Sequence, residues 1–268
     1  MTTSQNSQIP DVGALLQGAS NDGVLSPMSM QALNIPNLGT QIQAALGTPA
    51  DLVQASEAVL VTVMPDDSGS IQFAGNAQAV RDGHNTVIEA LMDSKQQAGI
   101  LFHTRYLNGE ILNPFTPLDQ AEQMDTHNYH PNKGTPLYDQ AIQVLATVLA
   151  KTQEFADNGI PARSVTLIIS DGNDQHSLNA DAKTVATIVK DMLQTEQHII
   201  AAMGIDDGST DFHKVFTEMG ILPEWILTPG NNQGEIRKAF QVFSQSAVRA
   251  SQGALSFSQT ALGGFGAP

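Results

Sequence analysis

Three side chains that carry oxygen atoms, Asp66, Ser68 and Ser70, occupy alternate positions in one short stretch of the chain. A hard divalent cation such as Mg²⁺ binds oxygen ligands, retains several water molecules and needs few carboxylates. One carboxylate and two hydroxyl groups from a single turn therefore form a candidate cation site. The same residue types are common in turns and at helix N-caps, so that interpretation stays open for these residues alone.

The segment before this triplet favours a binding role. Residues 58–64 are apolar almost throughout, contain β-branched side chains and stop at Pro65, which is typical of a buried strand. Ligands of open α/β sheets bind beyond the carboxyl ends of the strands. We therefore expect the triplet to lie at the ligand-binding edge of a sheet.

The rest of the chain alternates between strand and helix patterns. This alternation predicts an α/β fold with a doubly wound, mainly parallel sheet and helices on both faces. Asn108-Gly109 is a strong hairpin signal and predicts one antiparallel edge strand. The predicted strands span 58–64, 100–107, 110–115, 164–169, 199–205 and 225–227, and the predicted helices span 77–92, 137–155, 182–193, 212–219 and 233–250.

Two further polar residues follow or precede predicted elements. Asp171 comes directly after the predicted strand 164–169, and Thr135 precedes the long helix. Thr135 also fits the N-cap of that helix, with Pro136 at its first position. In the predicted architecture both residues face the same edge of the sheet as Asp66.

Three stretches of sequence together carry a family resemblance. In these stretches the chain resembles the von Willebrand factor A (vWA) domain family with a complete metal-ion-dependent adhesion site. The stretches are DDSGS at 66–70, KGTPLYDQAI at 133–142 and LIISDG at 167–172. The resemblance covers residues 58–250 and implies a Rossmann-like vWA fold. The metal ligands that it implies are Asp66, Ser68, Ser70, Thr135 and Asp171, and the implied ion is Mg²⁺ or another divalent cation such as Mn²⁺ or Ca²⁺.

The resemblance also implies a mode of action. In such sites the ion keeps an open position that an Asp or Glu of a partner protein can fill. The Gly-Thr-Pro-Leu text at 134–137 is closest to intracellular bacterial vWA proteins, of the tellurium-resistance type or of the type paired with MoxR-like AAA+ ATPases. One departure is Pro65, where the family usually has an aliphatic residue, and a slight displacement of the metal loop stays open.

Composition excludes several classes of function. The chain has 268 residues, with 12 Lys and Arg against 27 Asp and Glu, for a formal charge of −15. This charge argues against nucleic acid and anionic membranes as partners. The absence of cysteine excludes disulfides, thiol catalysis and Cys-based zinc sites. No signal peptide and no apolar run of about 20 residues is visible, so we expect a cytoplasmic location.

The same composition divides the chain into three parts. Residues 1–56 are rich in Gln, Ser, Asn, Gly and Pro and predict a polar, weakly structured arm, or one that docks small apolar patches on the main domain or on a neighbour. Residues 57–250 form the predicted vWA domain. Residues 251–268 predict a flexible tail, with a linear docking peptide as the alternative.

The function that follows is a non-catalytic, cation-dependent protein–protein interaction module in a multiprotein assembly. One alternative is a self-assembling subunit that uses its arm and tail to form a homo-oligomer. Another is a Mg²⁺-dependent phosphoryl-transfer enzyme, but Ser68 stands where a dehalogenase-like phosphatase has its second carboxylate. We therefore expect no enzymatic activity.

Two other clusters could bind ions. The acidic turn around Asp206, Asp207 and Asp211 could hold a second ion, although a solvated turn is the simpler interpretation. His127 and His130 could bind a transition metal, but no third ligand follows from their spacing. We expect these histidines and Tyr129 to lie on the rim of the metal edge, where they would contact a partner.

Overall fold

The structure is a computed structural model that describes residues 11–94, 99–252 and 263–265. Within these residues one six-stranded sheet has the strand order β3-β2-β1-β4-β5-β6. All neighbouring strands are parallel except β2 and β3, which are antiparallel. The strands are β1 (Ala58–Met64), β2 (Ile100–Arg105), β3 (Ile111–Pro117), β4 (Ala162–Ser170), β5 (His198–Gly204) and β6 (Ile226–Leu227).

The helices account for most of the rest of the described chain. They are α1 (Val12–Asn21), α2 (Pro27–Ala32), α3 (Leu38–Ala45), α4 (Gly69–Phe73), α5 (Ala77–Met92), α6 (Leu137–Asp157), α7 (Ala182–Gln194), α8 (Phe212–Glu218) and α9 (Gln233–Gln252). No helix in the described ranges combines the length and apolarity needed to span a membrane.

The central strands are buried along their whole length, as expected for a parallel sheet covered on both faces. The order runs one way from β1 to β2 and the other way from β4 to β5. Right-handed crossovers therefore place α5 and α7 on opposite faces. These features confirm the predicted doubly wound α/β fold.

The antiparallel edge strand follows from its turn. Gly109 has φ of +96°, which glycine adopts without steric conflict, and the chain reverses there between β2 and β3. Proline lacks a backbone donor, so Pro114 inside β3 is compatible with an edge strand. The expected antiparallel edge strand is thus present.

The N-terminal part differs from the weakly structured arm that composition predicts. Between residues 12 and 45 it forms α1, α2 and α3, which pack on α6 and α7. Leu15, Ile42 and Leu46 are buried in the same core as the sheet. The alternative interpretation, an arm docked on the main domain, describes these helices.

A buried ion pair fastens the segment after α3 to α6. Nζ of Lys151 lies 2.8 Å from Oε2 of Glu154 and also donates to the carbonyl oxygen of Thr48. Oε1 of Glu154 accepts a hydrogen bond from the backbone N–H of Ala50 at 2.8 Å. Both ends of the ion pair therefore hold the N-terminal segment against the domain.

Most of the predicted tail lies outside the described residues. The parts that the structure describes are the end of α9 and Gly263–Phe265, and the latter lies beside Trp225. The expectation of a flexible tail over 251–268 is therefore not addressed for most of its length.

Candidate metal centre

Asp66 joins the carboxyl ends of the two central strands. It is fully buried, and its Oδ1 accepts a hydrogen bond from the backbone N–H of Ser68 at 2.7 Å. Its Oδ2 lies 3.0 Å from the backbone nitrogen of Asp171 and 3.0 Å from the hydroxyl oxygen of Ser170, which is equally close to the carbonyl oxygen of Gly172. The carboxylate thereby fixes the loop after β1 against the loop after β4.

The two serine hydroxyls of the triplet converge on Asp171. The Oγ atoms of Ser68 and Ser70 are 2.9 Å apart, and they lie 3.2 Å and 2.6 Å from Oδ1 of Asp171. Serine oxygens can accept a cation as readily as they donate to a carboxylate. These contacts bring together four of the five predicted ligand residues, namely Asp66, Ser68, Ser70 and Asp171.

Thr135 reaches the same edge through backbone pairing. Lys133 donates its N–H to the carbonyl oxygen of Asp67, and its own carbonyl oxygen accepts from the N–H of Gly69, both at 3.1 Å. Two residues later, the N–H of Thr135 donates to Nδ1 of His176 at 2.8 Å. Thr135 is thus held between the loop after β1 and the loop after β4, and it is 6% exposed.

Thr135 is not the N-cap that the sequence predicts. Pro136 takes that position, and α6 begins one residue later. The hydroxyl of Ser177, from the loop after β4, accepts hydrogen bonds from the N–H groups of Tyr138 and Asp139 at 3.1 and 3.0 Å. Because a distant serine caps α6, the hydroxyl of Thr135 is not used for capping.

The site concentrates negative charge in a buried position. Burial raises the pKa of Asp66, and burial together with the charge of Asp66 raises the pKa of Asp171 to about 6. Burial also raises the pKa of Asp67 to about 7, although its Oδ1 accepts a hydrogen bond from the N–H of Asn108 at 2.9 Å. Raised carboxyl pKa values mean that the ionised forms lack compensating positive charge. A bound cation would supply that charge, so this oxygen-rich set fits a hard divalent ion.

Solved structures with the same arrangement of strands and helices are known. The vWF domain of the type V pili tip protein Mfa5 from Porphyromonas gingivalis matches with a TM-score of 0.53 and 11% identity, over 75% of this chain and 98% of that chain. This chain therefore has the vWA fold. The pilus adhesin SpaC from Lactobacillus rhamnosus GG also matches, with a TM-score of 0.52 and 10% identity, over 72% of this chain.

These matches show a similar fold only, because a shared fold at 10–11% identity does not show a shared function. The aligned part spans 31% of the SpaC chain. No family model matches the sequence, and a search of curated proteins found no match.

Three residues support the site of this vWA fold through contacts that the sequence did not predict. They are Ser170, which contacts the Asp66 carboxylate, His176, which accepts from Thr135, and Tyr129, whose hydroxyl donates to the carbonyl oxygen of Asp66. Each acts across a large sequence separation. Ser170 directly precedes Asp171 in the sequence LIISDG. Its position next to a predicted ligand was the only feature of the sequence that pointed to it.

Tyr129 does not lie on the rim as predicted. It is 1% exposed, and its ring packs 5.5 Å from that of Tyr106. Its hydroxyl needs a hydrogen-bond partner once buried, and the Asp66 carbonyl oxygen provides it. Tyr129 therefore supports the metal loop from inside.

The two histidines beside Tyr129 do not form a metal site. His127 is turned towards Asp125, with 3.3 Å between Nδ1 and Oδ2, and Nε2 of His130 lies 2.9 Å from the carbonyl oxygen of His127. Among the described residues, no group of three or more His, Cys, Asp or Glu side chains is arranged to hold a metal ion. The site at Asp66 and Asp171 depends instead on two carboxylates plus hydroxyl oxygens.

The acidic turn after β5 uses its carboxylates locally. Asp206 accepts from the N–H of Gly208 at 2.8 Å, and Asp207 accepts from the N–H groups of Ser209 and Thr210 at 2.8 and 2.6 Å. Asp211 caps α8. This arrangement is the solvated turn of the simpler interpretation.

Pro65 does not detach the loop after β1 from the segment that follows β2. The carbonyl oxygen of Pro65 accepts a hydrogen bond from the N–H of Leu107 at 3.0 Å, just beyond the end of β2. Since proline lacks only the donor, its carbonyl group can still make this contact. The loop is therefore tied on both sides, to the segment after β2 and to the loop after β4.

Proposed function

We propose that this protein is a non-catalytic interaction module that binds a divalent cation at the Asp66 edge and, through it, a carboxylate of a protein partner. The convergence of the Ser68 and Ser70 hydroxyls on Asp171, above the buried Asp66, is the observation that carries the proposal. The fold supports a protein-binding role only in general terms, so the proposal depends on this cluster.

Each residue has a distinct part in the proposed site. Asp66 holds the two loops together and contributes negative charge, and Asp171 contributes a second carboxylate. Ser68, Ser70 and Thr135 contribute neutral oxygens from two different loops. When bound, a divalent cation supplies an electrophilic centre with an open position for a carboxylate. Mg²⁺ is the ion proposed, with Mn²⁺ and Ca²⁺ as further candidates of the same oxygen-binding class.

The residues around the site favour binding over phosphoryl transfer. Ser68 provides a hydroxyl where a second carboxylate would be needed for acid–base work. Lys133 contacts the loop through its backbone N–H and carbonyl groups. The arrangement therefore lacks the second carboxylate that a dehalogenase-like phosphatase has at the position of Ser68, which supports ligand binding.

The wider context remains part of the proposal. The Gly-Thr-Pro-Leu text supports a bacterial cytoplasmic assembly, with an AAA+ ATPase as one candidate partner. Self-assembly through an N-terminal arm receives less support, because α1, α2 and α3 pack on α6 and α7 of the same chain.

Isothermal titration of Mg²⁺ into EDTA-treated protein tests the cation site. We expect saturable binding that is weakened at least about tenfold in Ser70→Ala and Thr135→Val. Thr152→Val is the matched control, since that hydroxyl bonds to the carbonyl oxygen of Val148 within α6. No binding by the wild type, or equal binding by all variants, would contradict the proposal.

A second measurement tests the carboxylate. Acetate is the probe, and the proton relaxation of its methyl group is measured with Mn²⁺-loaded protein. We expect a faster relaxation with the wild type than with Ser70→Ala at equal total Mn²⁺. If cation binding is confirmed but acetate relaxes equally with both proteins, the bridging role is wrong and the cation site stands alone.

A further inference from the structure

A short segment from beyond α9 docks beside the edge strand β6. The N–H of Phe265 donates to the carbonyl oxygen of Glu224 at 3.0 Å. The ring of Phe265 meets that of Trp225 edge to face, with 5.2 Å between centroids and 65° between planes. Trp225 itself is 1% exposed. Phe265 thus contributes both a backbone hydrogen bond and an aromatic contact of a favourable geometry.

Glycine is required next to this phenylalanine. Gly263 and Gly264 have φ of +68° and +81°, which favours glycine at both positions. A Cβ atom on Gly264 would lie 2.5 Å from the carbonyl oxygen of Glu224 and 2.6 Å from its Cβ. The close backbone approach and the aromatic contact together select the sequence Gly-Gly-Phe.

The docking surface is separate from the candidate metal centre. Glu224 and Trp225 directly precede β6, which stands at one lateral edge of the sheet. The metal loops follow β1 and β4, and β5 lies between β4 and β6. The two surfaces share no residue, so one can be occupied independently of the other.

We propose that the Glu224–Trp225 surface is a binding site for a Gly-Gly-Phe peptide segment. The chain's own Gly263–Phe265 fills it here, and the same segment of a second copy can replace it. The segment makes its backbone hydrogen bond to Glu224 and its ring contact to Trp225, and Phe265 also packs against the core. The same segment of a second copy could make these contacts.

Chain length and tethering are compatible with this exchange. Residues 253–262 connect α9 to the docked segment, and ten residues can span up to roughly 33–36 Å. A tethered segment has an effective concentration in the millimolar range, so it competes strongly with a free peptide. The Glu224–Trp225 surface should therefore bind a free peptide best when the chain's own Gly263–Phe265 segment cannot dock. The experiment below uses a variant of this kind.

The protein reports on this site directly, because Trp225 is its single tryptophan. The full chain carrying Phe265→Ala is titrated with the peptide TALGGFGAP, which reproduces residues 260–268. We expect a red-shifted Trp225 emission in Phe265→Ala, and a saturable return towards the wild-type spectrum as peptide is added. Wild-type chain should bind the peptide at least about tenfold more weakly, because its site is filled.

Two controls make the result specific. A peptide with the Gly264→Ala change should fail to restore the spectrum, and Phe73→Ala, at a side chain that is 92% exposed, should leave the emission unchanged. Far-UV circular dichroism checks that Phe265→Ala is folded. An unshifted emission in folded Phe265→Ala, no response to the peptide, or an equal response to the Gly264→Ala peptide would each overturn the proposal.

A mixing experiment tests the second copy. The Phe265→Ala chain is mixed with a tryptophan-free chain carrying Trp225→Phe, which still has its Gly-Gly-Phe segment. Exchange predicts a blue shift that grows with the concentration of the tryptophan-free chain. If the peptide binds but this mixture shows no shift, the part of the proposal that concerns a second copy is wrong. EDTA should change neither result, which separates this site from the cation site.

Discussion

The backbone N–H of Thr135 donates a hydrogen bond to Nδ1 of His176, with 2.8 Å between the nitrogen atoms. Ser177, the next residue along, caps α6 through the N–H groups of Tyr138 and Asp139. The loop after β4 therefore carries Asp171 and also fixes Thr135, whose hydroxyl is proposed to contribute to the site.

His176→Ala should weaken Mg²⁺ binding by about tenfold, because the variant leaves Thr135 in place but removes the acceptor that orients it. Isothermal titration measures the affinity. His130→Ala is the matched control, since that imidazole contacts the carbonyl oxygen of His127 and no residue of the site. An equal affinity of both variants would show that His176 has no positioning role.

Ser170→Ala should lower both stability and cation affinity. It removes a hydroxyl donor from the buried carboxylate of Asp66, and a hydrogen bond to a charged group contributes about 1.5–3 kcal/mol. Urea unfolding and Mg²⁺ titration are measured on the same samples. Ser244→Ala removes a buried hydroxyl that bonds to the carbonyl oxygen of Phe240, so it should change stability without changing affinity. A loss of stability alone in Ser170→Ala would assign it a purely structural role.

Asp171→Asn should stabilise the cation-free protein at alkaline pH. Burial raises the pKa of Asp171 from 3.8 to about 6, so the folded state binds this proton more tightly than the unfolded state does. The stability contributed by the protonated carboxyl is present at low pH and is lost as pH rises through about 6. We expect the variant to gain about 1–3 kcal/mol over wild type at pH 8 in EDTA, and little at pH 4.

Urea unfolding at the two pH values measures this difference. Asp93→Asn, at an exposed carboxylate, controls for the loss of one negative charge. The same gain at both pH values would contradict the linkage to ionisation. We also expect Mg²⁺ to raise the thermal stability of the wild type and not that of the variant.

Glu154→Gln should destabilise the fold by about 3–5 kcal/mol, because it removes the carboxylate that pairs directly with the fully buried ammonium group of Lys151. Burial already lowers the pKa of Lys151, which shows how unfavourable its charged form is there. Adding Lys151→Met to Glu154→Gln should recover most of the loss. If the double variant were as unstable as Glu154→Gln, the ion pair would not be the cause.

Much of the fold followed from local sequence patterns. Continuous apolar runs marked β1, β4 and β5, because parallel strands that are covered on both faces are rich in apolar, β-branched side chains. The Asn108-Gly109 turn marked the antiparallel edge. The N-terminal helices were missed because their few apolar residues do not form an independent core. Leu15 and Ile42 become buried only against α6 and its neighbours, which composition does not register.

The candidate site was predictable where its residues are near one another in sequence. Asp66, Ser68 and Ser70 share one turn, and their residue types and spacing made them candidate oxygen ligands, beside the alternative of turn and N-cap residues. The supporting residues were not predictable in this way. Tyr129 and His176 look like surface residues in a polar loop, and only the folded chain brings them to Asp66 and Thr135.

The separation of Asp66 from Ser170 has a further consequence for how the protein is made. The contact between them spans 104 positions, and it forms only when β1 and β4 lie side by side. Closing so long a loop costs more conformational entropy than closing a local turn does. A growing chain that contains Asp66, Ser68 and Ser70 still lacks Thr135 and Asp171, and the last of these five residues is added at position 171. The proposed cation site would thus require a chain that has been synthesised through residue 171 and has paired β1 with β4.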